Sequence, residues 1–213
     1  MDYNDPELQL DGYTIFHSTK KVLTDRGHIK GTFKAYQIES QETEFIEFIQ
    51  AGIQTQSGSN ILISCIYRSP SANNDDCVRE LSDIISIKTF CNTKLHMGDF
   101  NFKDINWVDQ NTSVGTVHIS SKFLEVVKDS FLFQHVKQPT RYRNENTPSL
   151  LDLVFTNEKG MIETIDHCSP VGNSDHEILE FRFVHTNVAK PTSDEKMRYF
   201  KGITHQSMKY LKK

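Results

Sequence analysis

Nothing in these 213 residues reads as a membrane span, a secretion signal, a disulfide framework or a zinc-binding cysteine pair. No apolar run approaches the ~20 residues that a bilayer crossing needs. The opening stretch, MDYNDPELQLDGY, is acidic and polar, unlike a signal peptide with its basic start and apolar centre. Four cysteines, Cys65, Cys77, Cys91 and Cys168, lie far apart, with no CxxC and no zinc-ligand spacing. They read as thiols of a reduced, intracellular protein. A basic excess is also missing, since 24 Lys and Arg stand against 28 Asp and Glu for a formal net charge of -4. That excludes a uniformly basic nucleic-acid binder, but not a basic rim around an acidic centre. The chain also shows no internal repeat and no low-complexity tract.

What is present suits a globular domain. Hydrophobic residues make up 37% and charged residues 24%, and the length allows one substantial core. Short strand patterns open the chain at Tyr13 to Phe16 and Phe33 to Ile38. EFIEFIQAGI and ILISCIYRSP flank the turn QTQSGSN and read as an antiparallel pair, the second run stopped by Pro70. NNDDCVRELSDIISI is a helix, with Val78, Leu81, Ile84 and Ile85 on one face and Asn74 or Asp75 as its cap. TKLHMGDF is the next strand. A second helix spans about Val117 to Ser130, with Ile119, Phe123, Val126 and Val127 inward. FLFQHV, SLLDLVFT, MIETIDHC and EILEFRFV read as four further strands. The expected fold is therefore α/β or α+β, two packed sheets with helices outside. From about Val184 the composition shifts to a linker, HTNVAKPTSDEK, and then a basic helix candidate, MRYFKGITHQSMKYLKK.

Four places put reactive side chains at strand ends or among aliphatic neighbours. Asp99 and Asn101 stand in HMGDFNF, where desolvating a carboxylate is costly without a partner. Asp152 shares a strand face with Leu150 and Val154. Asp175 and His176 precede a strand in GNSDHEILEF. Tyr67 and Arg68 end ILISCIY. Each has a bland reading: turn chemistry for Asp-Phe-Asn, an edge position for Asp152, a capping box in SDHE, a core aromatic for Tyr67. Together they suit metal-assisted phosphodiester hydrolysis. Carboxylates bind Mg²⁺ and orient water, while Asn and His donate to a phosphoryl oxygen as its charge grows.

GDFN, LDLVFTN and SDH, in that order, resemble the motif series of the endonuclease/exonuclease/phosphatase superfamily. IYRSP, QPTRYRNENTPSLLDL and LDGYTIF are similar to segments of the apurinic-endonuclease-like domain of non-LTR retrotransposons of the jockey type. The resemblance covers about residues 7 to 210. It implies a DNase I-like four-layer sandwich, two β-sheets flanked by helices, over residues 1–185. It implies Mg²⁺- or Mn²⁺-dependent nicking of DNA in the nucleus, with no membrane partner. Residues 186–213 would lead toward a reverse transcriptase. By position, Asp99 and Asn101 would handle water and the scissile phosphate. His176 would contact the phosphate, Asp152 would support His176, Tyr67 would be a phosphate contact, and Asp175 would hold the metal or activate His176. Arg141 and Arg143 are candidates for DNA backbone contacts from their charge and place.

The departures from the family matter as much. Its first strands, with an Asn and a metal-binding Glu, should precede the Gly12-Tyr13 strand, which here falls almost at the start. SQETEF imitates the Gln-Glu motif but follows that strand, so Glu42 is not expected to be the ligand. DRGHIKGTFKAY is less glycine-rich and apolar than the group's strand. The expectation is an N-terminally truncated sandwich that holds its metal weakly and nicks DNA poorly. A non-catalytic nucleic-acid-binding relic is the alternative, and a phosphatase of the same superfamily is another.

Overall fold

The computed structural model describes residues 13–17, 26–30, 34–38, 43–55, 58–87, 89–143, 147–185 and 200–202. In chain order the strands are β1 (Tyr13–His17), β2 (Arg26–Lys30), β3 (Lys34–Gln37), β4 (Ile46–Gln54), β5 (Asn60–Arg68), β6 (Thr93–Asp99), β7 (Ile105–Asn106), β8 (Asn111–Thr112), β9 (Phe133–Gln134), β10 (Asp152–Thr156), β11 (Ile162–Cys168), β12 (Ile178–Phe183) and β13 (Phe200–Gly202). Helix α1 (Asp75–Ser86) joins β5 to β6, and α2 (Ile119–Asp129) follows β8.

The main sheet has six strands in the order β3-β4-β5-β6-β10-β9. β4 and β5 form the expected antiparallel pair, from Ile46 opposite Arg68 to Gln54 opposite Asn60. β5 and β6 run parallel, which their helical crossover permits. A second sheet has the order β11-β12-β13. β1 pairs with β2, and β7 with β8, as separate two-stranded units.

Both helices begin where side chains replace missing helical partners. The Asn74 side chain accepts from Cys77 N at 2.9 Å, as expected. His118 caps α2 through Nδ1, which accepts from Ser120 N at 3.2 Å. Val78, Leu81, Ile84 and Ile85 of α1 are buried, as are Ile119, Phe123 and Val127 of α2. They pack with Ile46, Phe48, Ile66 and Phe155 on one face of the main sheet. The other face carries Ile53, Ile61, Ile63, Leu95 and Val154, which pack with Leu179, Phe181 and Phe183 of the second sheet. All five residues of β10 are therefore buried, because both faces are covered. Full burial of each such aliphatic or aromatic side chain is worth roughly 1.5–3 kcal/mol.

Helix layer, six-stranded sheet and second sheet are three of the four expected layers. Among the described residues no helix covers the outer face of the second sheet. Two local expectations change. FLFQHV pairs as a strand only at Phe133–Gln134, because Phe131 turns the chain with φ 52°. Within the expected basic helix, Phe200–Gly202 instead pairs with Leu179–Phe181, supplying ladder partners that the edge of β12 requires. The rest of that segment, Gly12 and Glu42 lie outside the described residues.

Candidate active site

The Asp-Phe-Asn-Phe alternation at the end of β6 divides its side chains between core and site. Phe100 and Phe102 are 0% and 2% exposed and anchor an aromatic cluster. Phe102 stacks on Phe123 at 4.3 Å, Phe100 meets Phe155 edge-on at 5.2 Å, and Trp107 meets Phe155 at 5.5 Å. Each such pair contributes roughly 0.5–1.5 kcal/mol beyond its buried area. Asp99 and Asn101 are left to the site. Gly98 just before them has φ 142°, and a Cβ there would stand 1.8 Å from the Ile66 carbonyl oxygen. Only glycine lets β6 approach β5 this closely.

Register then brings distant residues together. Glu47, Tyr67, Asp99 and Asp152 are successive cross-strand partners on β4, β5, β6 and β10. Directly paired residues share a face, so the four form one row on the face of the main sheet that carries Ile53, Ile61 and Leu95. At the end of the row, Asp152 Oδ2 meets His176 Nδ1 at 2.8 Å, with both side chains 4% exposed. This is the partner a buried carboxylate between Leu151 and Leu153 requires. Asp99 Oδ1 and Asp152 Oδ1 are buried without a hydrogen-bond partner.

These contacts set the acidities. Burial pushes the Asp99 carboxyl up to about 7, and the neighbouring Asp152 charge adds to it, while His176 and Asn101 pull the other way. Burial alone would lower the His176 pKa, but the hydrogen bond and charge of Asp152, with Asp99 and Asp175, raise it above the ordinary value. Burial acts to raise Asp175, yet Arg141 and His176 hold it below the usual carboxylate range.

The segments around Arg141 tie the last two motifs together. Thr140, fully buried, accepts through its hydroxyl from the backbone N–H of Leu151 at 3.2 Å and of Asp152 at 3.0 Å. Its carbonyl accepts from Glu177 N, and Tyr142 N donates to Asp175 O. Ser174 Oγ accepts from His176 N at 3.1 Å. Arg141 Nε donates to Asp175 Oδ2 at 2.8 Å, so this guanidinium is partly committed within the protein. Arg143 is exposed.

The structure thus brings Asp99, Asp152 and His176 into one electrostatic unit, with Tyr67 beside Asp99 and Asp175 and Arg141 adjoining it. Asn101 follows Asp99, and its Nδ2 donates to Arg68 O at 2.7 Å. Thr140, Ser174 and Glu47 do not stand out in the sequence as site residues. Glu47 continues the strand face of Ile49 and Ile53, but its place opposite Tyr67 is set by register, which the sequence does not show. Thr140 lies in the QPTRYR stretch that carries the family resemblance, but its role shows only where two remote segments meet.

Among the described residues no three His, Cys, Asp or Glu side chains converge to hold a metal ion. Asp99 and Asp152 offer two hard, unpaired oxygens, and Asp175 has one oxygen on Arg141. Mg²⁺ is commonly held by one or two carboxylates completed by water and phosphate oxygens, so Asp99 and Asp152 supply the protein part of such a site.

A family model for endonuclease-reverse transcriptase domains matches residues 61–180, more than half of the chain, from the start of β5 into β12. Among solved structures, the endonuclease domain of TRAS1, a telomere-specific non-LTR retrotransposon, aligns with a TM-score of 0.61 at 15% sequence identity, covering 82% of this chain and 79% of that one. No curated protein matches. The matched segment contains Tyr67, Asp99, Asn101, Asp152, Asp175 and His176, and the chain belongs to the endonuclease-reverse transcriptase family of the endonuclease/exonuclease/phosphatase group.

Proposed function

We propose that this chain is a DNA-nicking phosphodiesterase of low turnover, acting in the nucleus as part of a retrotransposon-derived protein with a reverse transcriptase. The buried Asp152–His176 pair beside Asp99 carries this reading. With Nδ1 held by Asp152, the His176 ring has Nε2 left to donate to a phosphoryl oxygen. Its raised pKa keeps that donor protonated more often near neutrality. Asp99, near 7, is suited to accept a proton from the attacking water. The water oxygen forms a bond to phosphorus as the bond to the leaving oxygen breaks, and that oxygen departs with the electron pair and takes a proton from solvent. Asn101 and Tyr67 contact the phosphate, Arg143 contacts the DNA backbone, and Arg141 keeps Asp175 beside His176.

Enzymes of this family are typically metal-dependent. Asp99 and Asp152 are the carboxylates that would hold the metal, and among the described residues no group of three metal-ligating side chains meets. The same observation favours a second reading, a nucleic-acid-binding module without catalysis. Supercoiled plasmid incubated with purified chain in Mg²⁺ separates the two. Slow nicking that disappears in both Asp99→Ala and His176→Ala is expected. DNA binding without nicking would support the binding module. Equal nicking by wild type and both variants would exclude the proposed site.

A further inference from the structure

Arg68 ends β5, pointing to the face opposite Tyr67, and is only 2% exposed. No carboxylate among the described residues forms an ion pair with it. Its guanidinium instead grips backbone. Nη1 donates to Phe100 O at 3.3 Å and Asn101 O at 3.0 Å. Nη2 donates to Ala72 O at 2.7 Å and Asn73 Oδ1 at 2.8 Å. The group lies 4.2 Å from the centroid of the Phe102 ring. Asn101 returns the contact through Nδ2 to Arg68 O. Each side chain thus holds the other residue's backbone.

Such a site is costly if packing is all it achieves. A buried charge without a counter-charge loses more solvation than a neutral side chain would, and apolar residues of similar volume are often as stabilising. The planar fork does something a neutral residue cannot. It holds two successive carbonyls, those of residues 100 and 101, directly after Asp99. In a trans peptide the C=O and N–H point in opposite directions. Fixing both carbonyls toward Arg68 therefore turns the N–H groups of Asn101 and Phe102 away from it. The same grip holds Asn101 at φ 55°, a left-handed conformation that Asn tolerates better than most residues.

We propose that Arg68 is a positioning residue of the phosphodiester site, locking the 100–102 backbone so that Asp99 and Asn101 meet the phosphate in one geometry. This rests on the nuclease reading above. The bland alternative is a clamp that merely joins β5 to the turn at 72 and 73.

Wild type, Arg68→Met and Arg68→Lys are compared by two readouts, plasmid nicking and amide hydrogen exchange followed by NMR. In Arg68→Met, kcat is expected to fall by roughly 100-fold with KM little changed, as a misplaced reacting group requires. The Asn101 and Phe102 amides should exchange at least about tenfold faster, while those of α2 keep their rates. Arg68→Lys, which keeps the charge without the fork, should fall between. Unchanged exchange at Asn101 and Phe102, or an unchanged kcat, overturns the proposal. A parallel rise in exchange across α2 also overturns it, because Arg68 is then a general structural clamp. If wild type does not nick, the nuclease reading fails, and the exchange comparison alone decides whether Arg68 holds the loop. Should Arg68→Met not fold, Arg68→Lys carries both comparisons.

Discussion

Replacing Asp99 by Asn should stabilise the protein while abolishing the proposed nicking. Asp99 is 9% exposed and sits next to Asp152 on the adjoining strand, with Oδ1 unpaired. Its pKa rises from 3.8 to about 7 on folding, which corresponds to about 4 kcal/mol of destabilisation once the group is ionised in both states. An acid with a raised folded pKa binds more protons folded than unfolded between the two values. Its contribution to stability is therefore most favourable below about 4 and is lost as pH rises toward about 7. The amide of the Asp99→Asn variant cannot ionise and escapes this loss. Urea unfolding followed by the fluorescence of the single tryptophan, Trp107, measures the difference, since that ring packs against Phe123 and Phe155. At pH 8 the variant should be more stable by about 2 to 4 kcal/mol, and at pH 5 by about 40% of that. A variant no more stable than wild type at pH 8, or a difference that does not shrink at pH 5, would refute the reasoning.

Other perturbations test other parts of the argument. His96, fully buried and bonded to Ser64 Oγ at 2.9 Å, has its pKa lowered by burial, then by Lys94, to about 3. The unfolded chain binds its proton first, so stability from this group is present above about 6.5 and is lost as pH falls. His96→Gln should recover about 2 kcal/mol relative to wild type between pH 7 and pH 5 in the same urea assay. Thr140→Val leaves the Leu151 and Asp152 N–H groups without their hydroxyl acceptor and should cost about 1–3 kcal/mol per donor, whereas Thr140→Ser should stay near wild type in urea. Gly98→Ala forces a Cβ into the Ile66 carbonyl and should cost more than about 3 kcal/mol, read as loss of soluble, cooperatively unfolding protein. Arg143→Ala should reduce the salt dependence of DNA binding by about one phosphate contact, while Arg141→Ala should change nicking more than that slope.

The parts of this fold that were legible are those whose cause is local. The faces of α1 and α2 follow from side-chain period, and the Asn74 cap from one side chain. The pairing of β4 with β5 follows from two apolar runs around a turn. Asp99 and Asp152 were legible because a carboxylate at a strand end or among aliphatic neighbours must have a reason, and His176 because SDH stands just before a strand in the motif order. What stayed hidden depends on register and closure. Glu47 joins the row only because Ile46 opposes Arg68. Here the Glu80 carboxylate on α1 helps, accepting from the N–H groups of Glu44, Phe45 and Ile46. Thr140 matters only because its loop passes the start of β10. Phe200–Gly202 joins a sheet because β12 offers an edge, a demand that no property of MRYFKG reveals.

Two features of the site run against stability in ways that explain each other. Asp99 and Asp152 stand side by side, where the charge of Asp152 makes ionising Asp99 more costly. On the opposite face Arg68 is buried with no ion pair among the described residues. A sequence selected for stability alone could relieve the first with an amide and the second with an aliphatic side chain. Neither relief is taken, and the two strained groups are separated by only the peptide units at 99–101. Burial of charge on both sides of one short loop fits the phosphodiester site proposed above, because a preorganised site bears the reorganisation cost before its substrate arrives. The same logic orders the experiments above. If Asp99→Asn and Arg68→Met both gain stability, the loop is held in a conformation that folding alone does not favour. If only Arg68→Met loses stability, the guanidinium serves the fold and the acidic row alone carries the cost of function.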